Sequence, residues 1–282
     1  MFLLAVSAAL LIPLPAFEPS AGKSALYEEL ENLCHPLAFA ALALVFARTS
    51  MTIRRGAHSI DLVWICALLV VFGAITELLQ ATSGRDASMV DFIGDVLGCV
   101  IGGGLHWDRH SNSASVSNRL LIRSVWVLAT LLTALPLSAT VAAYASRWAH
   151  FPVFWQLDAP LTHRFSRHQE GNYPGLDIRE PPADWREFRE LLITVRNLGN
   201  TPARFALRVN DRNHTNRYED RFNREFEIAG GATRSYAILV EDILKSPSAR
   251  QMDVSQIETV LIFQLREHGD PLVEVVRVAL AR

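Results

Sequence analysis

Residues 60–79, IDLVWICALLVVFGAITELL, form an apolar run whose only charged residues are Asp61 and Glu77. A helix needs about 20 such residues, each rising 1.5 Å, to cross the hydrocarbon core of a bilayer. In water a run of this kind would need cover on every side, so it restricts the fold more than any other feature. Four further apolar stretches share the same half of the chain: 2–17, 33–47, 90–107 and 120–145. They predict about five transmembrane helices in a membrane all-α bundle over residues 1–146.

From residue 151 the period changes from helical to two. RFALRVN (204–210) alternates Phe205, Leu207 and Val209 with Arg204, Ala206 and Arg208. Residues 191–197, 224–228, 233–239, 259–265 and 273–280 also read as strands, with a short helix expected at 240–246. NLGNTP (197–202) and AGGAT (229–233) supply turns between them. Residues 151–282 are therefore predicted to form an all-β antiparallel sandwich, jelly-roll-like in kind. None of Cys34, Cys66 and Cys99 falls in this part, so packing alone must hold it.

Charge sets the expected orientation. The connections around Arg48, Arg54 and Arg55, and around Arg109, Arg119 and Arg123, are arginine-rich. The intervening connections hold only Lys23, among Glu18, Glu28, Glu29 and Glu31, and Arg85. The positive-inside rule then predicts a multi-pass protein of the cell (inner) membrane, its N-terminus cytoplasmic and its C-terminal domain extracytoplasmic. A formal net charge of −2 gives no bulk attraction for nucleic acid, and the arginines of 204–224 are interleaved with Asp and Glu.

Polar groups gather where this topology predicts the outer boundary. They are His35 at the start of the second span, Glu77 and Gln80 at the end of the third, Arg85 in the loop, and Asp91 and Asp95 at the start of the fourth. Carboxylates at membrane depth are costly, so they face the bundle and usually have a task. Structural roles account for part of this set. Ser88 and Asp91 fit a capping box, and Gly94, Gly98 and Gly102 have the spacing that lets membrane helices approach closely.

The same residues carry a resemblance. E77-L-L-Q80, G84-R85 and D91-F-I-G-D95-V-L-G98 resemble the motif of the VanZ-like family of membrane proteins, and His35 followed by Phe39 resembles its earlier helix start. The similarity covers about residues 25–107. Asp95 stands where the family usually has Asn, and Glu31-Asn32 replace an Asp-Lys pair. The resemblance implies a cell-envelope context and a link to resistance against a wall-directed glycopeptide antibiotic. The C-terminal half loosely resembles jelly-roll domains of the galactose-binding or carbohydrate-binding type, best marked in VNDRNHTNRYEDRFN (209–223).

These readings predict a binding protein of the envelope. Its binding residues in the helical part are His35, Glu77, Gln80, Arg85, Asp91 and Asp95. In the β part, Asp211, His214, Asp220 and Arg221 are candidates for glycan. Its expected partners are membrane lipids and an envelope glycan or lipid-linked precursor, without nucleic acid. The alternative is an intramembrane enzyme acting on a lipid-linked wall or polysaccharide precursor, with Glu77 or His35 as acid/base and Arg85 binding phosphate. No Ser-His-Asp motif, P-loop, HExxH or GxGxxG in a strand–helix context is present. The cysteines lack metal-ligand spacing and 209–223 does not match an EF-hand, so no metal or cofactor is assigned.

Overall fold

The computed structural model describes residues 24–54, 59–82, 88–110, 115–169, 173–215, 217–265 and 273–282. They fall into two compact units, Leu26–Ala139 and Thr140–Arg282. The expected apolar span at 2–17 lies outside the described residues.

The helices of the first unit are α1 (Ala25–Arg54), α2 (Ser59–Thr82), α3 (Met89–His110) and α4 (Val116–His150). Among the described residues, then, four helices rather than five are long and apolar enough to cross a membrane. The helix α1 is longer than the apolar run at 33–47 foretold. Its extra N-terminal turns, ALYEELEN, are mostly Ala, Leu and Glu, good helix formers that a hydropathy reading takes for a loop.

Small residues govern how these helices pack. A Cβ built on Gly98 would lie 2.4 Å from the Pro36 carbonyl oxygen, and one on Gly102 would lie 2.3 Å from that of Ala40. The glycine stripe of α3 thus lets the backbone of α1 come into direct contact, as its spacing predicted. Phe39, Leu42, Ala43, Leu69 and Cys99 form the buried core of the unit. Outward, Val63, Trp64, Leu68 and Val71 of α2 and Leu128, Leu131 and Leu135 of α4 are exposed. Only 6% of the apolar window of α4 is buried within the protein, leaving a surface suited to lipid rather than water.

The last turns of α4 belong to the second unit. There the Arg147 guanidinium lies 3.7 Å from the Phe165 ring centroid and donates to the Glu180 carbonyl, while the Tyr144 hydroxyl donates to the Glu180 carboxylate. Glu180 itself takes a left-handed φ of 51°, uncommon for a residue other than glycine.

The rest of this unit is β1 (Val153–Gln156), β2 (Ser166–Gln169), β3 (Gly175–Arg179), β4 (Glu190–Asn197), β5 (Ala203–Asp211), β6 (Phe222–Ile228), β7 (Thr233–Leu239), the short helix α5 (Val240–Leu244), β8 (Ile257–Gln264) and β9 (Val273–Ala281). Two antiparallel sheets result, ordered β1-β9-β4-β7 and β2-β3-β8-β5-β6. Apart from the β2–β3 and β5–β6 hairpins, every connection passes from one sheet to the other. That exchange interleaves the two sheets of an antiparallel β-sandwich.

One core joins the inner faces. Leu191, Ile193 and Val195 of β4 and Val278 of β9 share it with Ile178, Phe205, Leu207, Val209, Val260 and Ile262 of the other sheet. The turn after β4 closes through Asn197, whose amide donates to the Thr201 carbonyl at 2.8 Å and whose carbonyl accepts from Gly199 N–H at 2.9 Å.

Candidate functional sites

In the helical unit, α1, α2 and α3 each bring one of the expected residues to a common point. His35 Nδ1 and Asp95 Oδ1 lie 3.2 Å apart, with Asp95 fully buried. Glu77 is only 6% exposed. One donor atom from each of His35, Glu77 and Asp95 lies within 4.8 Å of the other two. Because α1 begins at Ala25, His35 sits about three turns inside the helix rather than at its start.

The cap of α3 differs from the predicted box. Ser88 Oγ accepts from Asp91 N–H at 3.2 Å, as expected of an N-cap. The reciprocal bond, from Ser88 N–H, goes at 2.8 Å to Glu77 Oε2 on the preceding helix instead of to Asp91. Asp91 is left half-buried beside the cluster, at the positive end of the helix dipole. Gln80 falls in the last turn of α2, its side chain outside the described residues, as is the whole of Arg85.

The cluster is electrically incomplete. Glu77 Oε1 and Asp95 Oδ2 are buried and have no hydrogen-bond partner among the described residues. Among the described residues, the ion pair of Asp95 is with His35. No regular sequence spacing connects positions 35, 77 and 95, so only the packing of three helices reveals this donor set.

The second candidate site covers the outward face of the five-stranded sheet. Register places Gly175, Phe263, Ala206 and Glu225 in one cross-strand row, and Arg167, Asp177, Leu261, Arg208 and Asn223 in the next. Tyr173 and Tyr218, 52% and 69% exposed, flank a groove of roughly 340 Å³ above these rows. Tyr173 meets Phe263 edge-on at 6.0 Å, and the Arg208 guanidinium lies 5.2 Å from the same ring. Arg208 Nε donates to Asn223 Oδ1 at 3.3 Å. Burial, with the nearby Arg221 charge, lowers the Arg208 pKa. The Arg221 side chain lies 5.7 Å from the Tyr218 ring, and its buried Nε has no hydrogen-bond partner among the described residues.

The other glycan candidates are engaged elsewhere. Asp211 is fully buried, accepting Arg250 Nη1–H and Nη2–H at 2.5 and 2.8 Å and Asp253 N–H at 2.7 Å. Arg250 also reaches Asp220 Oδ1 at 2.5 Å, and Asp220 Oδ2 accepts Thr215 N–H at 2.8 Å. The bond to Asp211, reinforced by Asp220, raises the Arg250 pKa despite burial. Burial pulls the Asp220 carboxyl upward, but the Thr215 and Arg250 bonds outweigh it and hold it below its ordinary value. His214 Nδ1–H donates to the Asp211 carbonyl at 2.7 Å. These contacts knit the β5–β6 connection to the loop before β8.

Of the aromatic residues, Trp155 and Trp185 are core, with N–H groups donating to the carbonyls of Val275 and Pro182. Arg208, Phe263 and Arg250 were not among the residues expected at a site. For Arg208 the signal was present, since the alternation of 204–210 had already put it opposite Phe205 and Leu207.

No family model matches the chain, and no curated protein matches it. Among solved structures, it is similar to the family 11 carbohydrate-binding module from Clostridium thermocellum in complex with a β-1,3-1,4-mixed-linked tetrasaccharide. That similarity has 12% identity and a TM-score of 0.30, over 41% of this chain and 72% of that one. It is also similar to an exo-β-agarase, with 22% identity and a TM-score of 0.29 over 40% of this chain and 19% of that one. For PfGH50B the identity is 15% and the TM-score 0.29, over 39% and 18% respectively. The match thus spans less than a fifth of either of the last two chains.

Proposed function

We propose that this chain is an integral membrane protein of the cell envelope that binds glycan through the outward face of its five-stranded sheet. The observation that carries this reading is the groove between Tyr173 and Tyr218, floored by Leu261, Ala206 and Phe263. A sugar offers an apolar C–H face and a rim of hydroxyls. Exposed tyrosine rings suit the first, while Arg208, Asn223 and Glu225 supply donors and acceptors for the second. A surface of this width accommodates a few residues of an oligosaccharide without enclosing them.

The membrane setting rests on four apolar helices with outward-facing Leu, Val and Trp side chains. Arg48 and Arg54 at the end of α1, with Arg109 at the end of α3 and Arg119 and Arg123 at the start of α4, support a cytoplasmic location for both of these helix ends. The β unit, following α4, then lies outside, where glycans are met. The VanZ-like resemblance of residues 25–107 supports the same envelope setting.

The test is a screen of the full chain in nanodiscs against an array of microbial surface oligosaccharides, followed by titration with Tyr218→Ala and Arg208→Ala variants. The reading expects at least one oligosaccharide to bind and each variant to weaken it about tenfold, the equivalent of roughly 1.4 kcal/mol. Binding unaffected by both substitutions refutes the assignment to this face.

A further inference from the structure

We propose that His35, Glu77 and Asp95 form a binding site for one divalent transition-metal ion inside the helical unit. The inference goes beyond glycan recognition and uses no residue of the sheet groove. Its first support is convergence. Three helices each contribute one classical ligand type, and their donor atoms lie within 4.8 Å of one another.

The second support is unmet valence. Asp95 is fully buried and Glu77 is 6% exposed, yet among the described residues Asp95 Oδ2 and Glu77 Oε1 have no hydrogen-bond partner. A buried carboxylate oxygen left without a donor is costly, and such atoms are few in native proteins. The other carboxylate oxygens already hold partners: Asp95 Oδ1 faces His35 Nδ1 and Glu77 Oε2 accepts the Ser88 N–H. The Ser88 contact orients Glu77 from outside the donor set, as outer contacts do for metal ligands, and each carboxylate keeps one oxygen uncommitted. A dication satisfies both atoms and balances two negative charges at once.

The third support is the way the site is walled. A Cβ on Gly73 of α2 would come within 2.6 Å of Asp95 Oδ2, so bare backbone is needed where that oxygen rests. The hydroxyl of Thr76, the neighbour of Glu77, is committed to the Gly73 carbonyl at 2.7 Å. Gly73 thus lets Asp95 Oδ2 rest directly against the α2 backbone.

Ligand chemistry selects the ion class. One imidazole with two carboxylates suits Zn2+ or Mn2+, whereas Mg2+ and Ca2+ favour oxygen donors alone.

The experiment is calorimetric titration of the chelator-stripped full chain in detergent with Zn2+, Mn2+, Mg2+ and Ca2+ separately. The site predicts one equivalent of Zn2+ or Mn2+, bound at least about tenfold more tightly than Mg2+ or Ca2+. Glu77→Gln and Asp95→Asn each weaken it by more than about 100-fold, beyond the roughly 10–100-fold typical of outer contacts. Gly73→Ala weakens it with all three ligands present.

Melting curves separate this site from a purely structural His35–Asp95 pair. The site predicts that Glu77→Gln, which keeps an acceptor for Ser88 N–H, melts no lower than the parent in chelator but gains nothing from Zn2+. No stoichiometric binding, parental affinity in both carboxylate variants, or tighter binding of Mg2+ or Ca2+ overturns the proposal. So does an equal loss of melting temperature in Asp95→Asn with and without Zn2+.

Discussion

Arg250→Met tests how the sandwich is closed. In the folded protein Arg250 offers Asp211 a bidentate pair at 2.5 and 2.8 Å, and Asp211 has no exposed surface. Removing one partner of a buried pair costs about 3–5 kcal/mol, because the remaining charge is stranded. Arg250 is itself 28% exposed and the Asp253 N–H still reaches Asp211, so the lower end applies, near 3 kcal/mol. The reverse change, Asp211→Asn, leaves Arg250 able to reach water and Asp220, and should cost only about 1–2 kcal/mol.

Hydrogen–deuterium exchange of the full chain in detergent isolates the β unit, since peptides of β4, β5 and β8 report its opening directly. At 1.4 kcal/mol per tenfold, Arg250→Met should accelerate the slowest amides of those strands about 150-fold. Asp211→Asn should accelerate them by no more than about 30-fold. Parental exchange in Arg250→Met, or a larger effect in Asp211→Asn, refutes the reasoning.

Three further outcomes follow from the same contacts. Asp220 has a lowered pKa, so its stabilisation is present above the ordinary carboxylate value of about 3.9 and is lost as pH falls through the folded value. Acid unfolding followed by near-UV circular dichroism should therefore be less steep below pH ~4 in Asp220→Asn. Burial raises the Asp177 pKa, against the opposing charges of Arg179 and Arg167, so this carboxyl destabilises the fold once ionised. Asp177→Asn should melt higher than the parent at neutral pH, with the difference gone below pH ~3.9. In the helical unit, Gly98→Leu must push α1 off α3, because even a Cβ would stand 2.4 Å from the Pro36 carbonyl oxygen. Its melting temperature in detergent should fall, and an unchanged value would refute the close helix approach.

Much of this architecture was readable before any coordinates. Hydropathy located α2, α3 and α4, and alternation located β4 to β9, because an amphipathic or fully apolar segment carries its period in the sequence. The strands β1, β2 and β3 escaped notice. Two of them have only four residues, and SRHQ of β2 is polar throughout, leaving no alternation to detect. The acidic turns that begin α1 escaped for a similar reason, since helix propensity rather than hydropathy extends them.

The sites were less legible. His35, Glu77 and Asp95 were singled out individually, but their meeting depends on helix packing that no local pattern encodes. The role of Glu77 as the acceptor for Ser88 N–H was hidden behind a local capping box that pointed to Asp91. Asp211 looked available in a polar loop, and only the fold shows Arg250 closing over it from 39 residues away. Tyr173 and Tyr218, 45 residues apart, line one groove only because the fold brings the connections that carry them to the same sheet face.

The most direct test of glycan recognition is an exchange footprint of the full chain in nanodiscs, with and without an oligosaccharide selected from the array. The account predicts slowed exchange in β5, β6 and β8 and in the segment around Tyr218, with β4 and β7 unchanged. Protection confined to β4 and β7, or protection that persists at full strength in a Tyr218→Ala, Arg208→Ala double variant, would contradict it.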